Sequence, residues 1–209
     1  MRHPLWLALL LVTSTAFAKP KLPALDGACV TAHPLATQAC AEVLAQGGNA
    51  FDAAVAASAT LGVVEPFCSG LGGGGFFLLH RAANDDNIFI DGREKAPLAS
   101  TAEMYRGADG TVDAKASITG AKAAAIPFQA ALLEHTAQHY GSRPFARLLA
   151  PAIKAAHEGF VVDWRLAKEI ATHAPRMNPA MQAVFAPGGV PLAEGALLKQ
   201  ADLDRKSVV

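Results

Sequence analysis

The sequence predicts a mixed α+β domain in which buried helices pack against a small sheet. Three observations carry this. Residues 50–61 are almost entirely alanine, valine and leucine, with Asp52 as the single charge, and a helix apolar on every side is buried on every side. Two apolar segments separated by Asn84-Asp85-Asp86 read as a hairpin. Hydrophobic residues make up 52% of the chain and charged residues 17%, a balance that excludes disorder and supports one sizeable core.

The elements follow in order. Residues 1–18 read as an export leader rather than as part of the fold. Met1-Arg2-His3 is a short basic start, residues 5–12 are apolar, and Ala16-Phe17-Ala18 supplies the small residues of a cleavage site. The apolar run is shorter than the roughly 20 residues a bilayer span needs. Residues 19–26 read as a linker, and the folded part is expected over 27–209. Residues 28–32 (ACVTA) have strand character. Pro34 opens a helix that Gly47-Gly48 stops. Asn49 caps a second helix running to about Val64 and ended by Pro66. Strands are expected over 76–81 and 87–91, and one helical turn over 102–105. Amphipathic helices are expected over 128–140 and 145–158, closed by Gly141 and Gly159, and another helix over 163–173. Beyond Pro175 glycine and proline dominate and no element is assigned. Two or three strands make a poor sheet alone, so further strands are expected from elsewhere.

Charge and cysteine content narrow the function classes. Eighteen acidic residues balance eighteen basic ones, so no basic face points to nucleic acid or anionic lipid. A small molecule or more protein is the expected partner. Cys29, Cys40 and Cys68 match no zinc spacing. In an exported chain they allow one disulfide and one free thiol, with the pairing open. Cys68 has no histidine in an orienting context, so a buried, inert cysteine is the expectation.

Ser69-Gly70-Leu71-Gly72-Gly73-Gly74-Gly75 has five glycines in six positions, but Phe76-Phe77-Leu78-Leu79 follows where a phosphate loop needs Lys-Ser/Thr and a helix. Close backbone packing near a core or a site is the better account. Ser69-Gly70 lacks the context of a nucleophile elbow. His135 and His139 could meet on one helix face, yet no further ligand accompanies them, and polar residues on the solvent side of an amphipathic helix are the better account. Arg93 stands where a strand ends, within Asp91-Gly92-Arg93-Glu94-Lys95-Ala96-Pro97. A guanidinium there suits an amino-acid carboxylate, while an ion pair with Asp91 or Glu94 is the plainer alternative.

Four stretches together carry a resemblance: residues 32–37 (AHPLAT), 47–55 (GGNAFDAAV), 69–76 (SGLGGGGF) and 91–97 (DGREKAP). Residues 142–160 and 200–203 extend it. In these motifs, in this order, the chain resembles the large subunit of the γ-glutamyltranspeptidases. The resemblance implies an N-terminal-nucleophile hydrolase αββα sandwich, here incomplete because only a large-subunit portion is present. It implies a self-cleaving precursor whose freed threonine attacks the γ-glutamyl amide of glutathione, forming an acyl-enzyme that water or an amino-acid or peptide acceptor resolves. The catalytic threonine belongs to a later segment than these 209 residues, so the chain is expected to be a truncated N-terminal portion, inactive alone, whose partner is a small subunit from the same precursor. No metal or organic cofactor is implied. One family role lands on a matching residue: Arg93 as the group that binds the substrate α-carboxylate. The chain departs from the family pattern at Phe67-Cys68, at Cys40 in place of a common glycine, and at Ile126-Pro127-Phe128. Expected localisation is secreted or periplasmic. The alternatives are a related acylase of the cephalosporin type and a non-catalytic exported protein that binds small carboxylates or another chain.

Overall fold

A computed structural model describes residues 27–206, the side chains of 204–206 excepted. The expected leader and linker, residues 1–26, lie outside the described residues. The elements run α1 (Pro34–Ala45), α2 (Ala50–Val64), α3 (Pro66–Ser69), β1 (Gly75–Arg81), β2 (Asp86–Gly92), α4 (Gln129–Tyr140), α5 (Phe145–Glu158), β3 (Phe160–Val161), α6 (Trp164–His173), α7 (Pro179–Phe185), β4 (Leu197–Leu198) and α8 (Ala201–Lys206). The domain is thus mixed α/β, and its four strands form two separate two-stranded antiparallel sheets, β1 with β2 and β3 with β4.

Helix α2 is the centre of the core. Val55, Ala56, Ala59, Val63 and Val64 are buried, and the alanines let α1 and α5 approach closely. Burial is not complete on every side, however. Ala54, Ser58 and Leu61, which share one face at helical spacing, are only partly covered. Ser58 on that face lines the candidate site described below.

Asp52 is fully buried and fully bonded. Its Oδ2 accepts from Asn49 N (2.9 Å) and Ser142 Oγ (2.6 Å), and its Oδ1 from Ser142 N (2.9 Å) and Arg143 N (3.2 Å). Asn49 Oδ1 accepts from Asp52 N in return, closing a capping box, and Asn49 Nδ2 donates to Tyr140 O (2.8 Å). The α4–α5 corner is therefore tied to the start of α2. Gly141 suits this corner because a Cβ there would stand 2.7 Å from Asp52 Oδ1.

The hairpin forms in the expected place. Phe77 and Leu79 pair with Ile90 and Ile88 and form its inner face. Its outer face leaves Phe76, Leu78 and Phe89 exposed at 56%, 78% and 62%, an apolar surface that is uncovered among the described residues. Asp85 takes the left-handed conformation that the turn requires (φ 53°).

Three expectations are corrected. Residues 28–32 form no strand, because no ladder partner lies beside them among the described residues and Val30 is 94% exposed. The segment is fixed by the Cys29–Cys40 disulfide and by Thr31 Oγ1 donating to His33 O (2.8 Å). Residues 102–105 form hydrogen-bonded turns rather than a helical turn, closed by Met104 N to Thr101 O and Arg106 N to Glu103 O. Beyond Pro175, where the sequence showed no element, Asn178 caps α7 by accepting from Met181 N, and the short β4 strand finds β3.

His33 caps α1, its Nδ1 accepting from Leu35 N (3.1 Å), and its ring edge meets Phe160. Burial lowers its pKa, opposed by the negative charges of Asp163 and Glu65 and aided by Arg165. The folded ring thus binds a proton less readily than the unfolded chain does. Its contribution to stability is complete above about pH 6.5 and is lost as pH falls through the lowered folded value. Replacing His33 with asparagine keeps a capping group but removes the titration. Urea unfolding of His33→Asn should show a flatter loss of stability between about pH 7 and about pH 5 than the parent; parallel curves would contradict this assignment.

Candidate functional site: a glycine-walled cleft

The open face of α2, the glycine run and the end of β2 enclose a cleft of about 520 Å³, within the roughly 300–1,000 Å³ usual for small-ligand sites. The glycines make it by letting backbone meet backbone. A Cβ on Gly74 would stand 2.1 Å from Gly92 O, and one on Gly73 would stand 3.1 Å from a Glu94 carboxylate oxygen. On the other side of β2, a Cβ on Gly92 would strike Leu132 of α4 at 2.8 Å. Gly73 O accepts from Phe128 N (3.0 Å) and Gln129 N (2.9 Å), so the same loop caps α4. The run is a structural wall, as expected, and a strand follows it.

Arg93 sits on this wall, one residue past β2. Its backbone N donates to Asp91 Oδ1 (3.0 Å), and its guanidinium lies 6.0 Å from the centre of the Phe76 ring. Nη1 stands 3.1 Å from Glu94 Oε2. That oxygen is buried and accepts no hydrogen bond, so the pair is a charge contact without bonding alignment. The Arg93 side chain is 57% exposed and that of Glu94 21%. An ion pair so open to water is worth little, which leaves the guanidinium available for a ligand. The ion pair with Glu94 is thus present as a charge contact, and it leaves the guanidinium's N–H donors unengaged by that carboxylate oxygen. Among the described residues lining the cleft, Arg93 is the one cation and Glu94 the one carboxylate.

Two lining residues escaped the sequence reading. Gln129 is buried, and its Nε2 donates to Ser58 Oγ (2.8 Å), tying α4 to α2 at the cleft floor. Ser58 gave a signal, as a hydroxyl in a largely apolar helix. Gln129 gave none, since it opens an ordinary amphipathic helix.

Cys68 is corrected. It is free and exposed on the cleft wall rather than buried, because α3 is a single turn with no inward face to hide a thiol. His135 and His139 stack with ring centres 4.0 Å apart on the exposed side of α4, and neither lines the cleft. No group of three or more potential metal ligands occurs among the described residues. None of the described helices is long and apolar enough to cross a membrane.

Residues 36–206 match the Gamma-glutamyltranspeptidase family model. The glutathione hydrolase proenzyme of Bacillus subtilis (strain 168) is 40% identical over 180 residues, which is 85% of this chain and 31% of that protein. The crystal structure of Helicobacter pylori γ-glutamyltranspeptidase superposes with a TM-score of 0.84 at 36% identity, covering 91% of this chain and 54% of that one. A cephalosporin acylase from Bacillus halodurans superposes with a TM-score of 0.70 at 28% identity, covering 91% of this chain and 38% of that one. The fold is that of the N-terminal-nucleophile hydrolases, present in part. Within that class, the chain belongs to the γ-glutamyltranspeptidase family. It spans about a third of the length of the Bacillus subtilis relative.

The cleft makes a checkable statement about its thiol. Native protein, unreduced, should titrate one thiol per chain with an aromatic disulfide reagent, and Cys68→Ser none. Slow or absent labelling before denaturation would contradict an exposed Cys68.

Proposed function

We propose that this chain is the large-subunit portion of an exported γ-glutamyltranspeptidase precursor, and that Arg93 binds the α-carboxylate of the γ-glutamyl substrate. The observation that carries this reading is Arg93 itself: a half-exposed guanidinium at a strand end, on the wall of a small-ligand cleft, in a chain of this family. In the complete enzyme, a threonine freed by self-cleavage attacks the γ-amide carbon of glutathione, with its own amine accepting the hydroxyl proton. Cysteinylglycine leaves with that proton. Water or an amino acid then attacks the γ-glutamyl ester and restores the hydroxyl. Arg93 does no bond-making. Its two-pronged grip on the α-carboxylate fixes where the γ-carbonyl falls.

The partner in this reading is a small subunit from the same precursor, consistent with the name proenzyme carried by the Bacillus subtilis relative. The exposed Phe76–Leu78–Phe89 face is suited to meet further sheet. Export rests on the leader pattern of residues 1–18, and the chemistry calls for no metal or organic cofactor. The likeness to a cephalosporin acylase supports a second reading, in which the same scaffold cleaves a different acyl amide.

The complete precursor, matured and assayed with a γ-glutamyl anilide, distinguishes them. Loss of a two-pronged charged contact costs about 3 kcal/mol, so Arg93→Ala should lower kcat/KM by roughly 10²-fold, mainly through KM. Arg93→Lys should recover part of the loss. An enzyme that cleaves a cephalosporin side chain but no γ-glutamyl compound would select the acylase reading. Unchanged KM in Arg93→Ala would remove the role assigned to Arg93.

A further inference from the structure

A second hollow, apart from the glycine-walled cleft, opens between α6, α7 and the loop at residues 118–120. Its volume is about 490 Å³, again within the range of small-ligand sites. The two hollows share only Pro66 and Phe67 among their lining residues. Its lining is predominantly apolar, with Ile118, Ile170, Met177, Met181 and Phe185 contributing. Met181 is left 42% exposed. An apolar hollow of this size forfeits dispersion contacts that a fitting side chain would supply, and methionines adapt readily to such a guest.

The rim is polar and ordered. His173 Nε2 stands 3.3 Å from Glu169 Oε2, while its Nδ1 lies 2.7 Å from Arg176 Nη2. A guanidinium can only donate, so Nδ1 accepts and Nε2 faces the carboxylate. One imidazole thus spaces a carboxylate from a guanidinium at the edge of an apolar hollow. Each charged group keeps further bonding capacity, because Glu169 has a second oxygen and Arg176 four other N–H groups.

We propose that this hollow is a second small-molecule site, which takes an apolar α-amino acid. The side chain enters the methionine-lined floor, the ammonium meets Glu169 and the carboxylate meets Arg176. A dipolar rim above an apolar floor selects a ligand that carries both charges. An acid alone faces Glu169 unfavourably, and an amine alone faces Arg176. Turnover plays no part in this inference, and it stands or falls separately from the role given to Arg93.

Methionine-methyl NMR of the 209-residue chain tests it, since only Met1, Met104, Met177 and Met181 report. Titration with L-phenylalanine should move the Met177 and Met181 signals saturably and leave Met104 in place. Arg176→Gln and Glu169→Gln should each weaken binding by at least about tenfold, the loss of one charge-assisted contact. Both residues lie at the rim, and native dispersion of the Met177 methyl verifies folding in either variant. Arg93→Ala should bind as the parent does. The absence of saturable shifts, or equal affinity for 3-phenylpropionate or 2-phenylethylamine, would overturn the proposal, as would binding unaltered in both rim variants.

Discussion

The buried carboxylate of Asp52 ties the start of α2 to the corner between α4 and α5. A charge removed from water is tolerable only when its lone pairs are met by donors, and here the donors come from two distant parts of the chain. Asn49 supplies one at the start of α2, and Ser142 and Arg143 supply three at the α4–α5 corner. The helix most suited by composition to the core therefore carries one polar residue whose needs dictate where its neighbours stand. Arg143 also donates from its guanidinium to Gln46 O, which brings the end of α1 to the same point.

That junction is felt at the cleft through α4. The helix is held to α2 at both ends, by Asp52 and Asn49 around Tyr140 to Arg143, and by Gln129 bonding to Ser58. Its first turn takes the Gly73 carbonyl, and Leu132 lies close against Gly92. The glycine wall and the end of β2 are thus positioned by one helix. Arg93, one residue beyond, inherits that position. Glycine at 74 and 92 is what permits so short a path between core and surface, because a Cβ there would strike Gly92 O or Leu132.

Much of this was legible in the sequence where a single residue has one structural reason to be present. Asn49 before an apolar run, Gly141 and Gly159 after amphipathic ones, and Asn84-Asp85-Asp86 between two strands each marked an element end that the structure bears out. Arg93 stood out by its place at a strand end, and the family motifs carried its proposed role further than local chemistry could. What stayed hidden depended on tertiary partners. Strand character at residues 28–32 came to nothing without a neighbouring strand. Gln129 acquired meaning only from Ser58, 71 positions earlier. The Cys29–Cys40 pairing follows from the fold that brings the two together, not from spacing, and the exposure of Cys68 follows from the brevity of α3. The rim of the second hollow joins α6, an expected helix, to Arg176 beyond Pro175, where no element was assigned.

Asp52 thus fixes the cleft wall at a distance, by holding α4 against α2. Amide hydrogen exchange in Asp52→Asn tests it most directly. The substituted amide keeps the shape but presents an N–H to donors that need an acceptor, so the junction should loosen while the core remains. The account predicts lost protection at Ser142 and Arg143, and with it at Phe128 and Gln129, whose amides bond to Gly73 at the cleft. Loss confined to Asn49, Ser142 and Arg143, with Phe128 and Gln129 protected as before, would show that the cleft wall stands without the junction and would contradict the account.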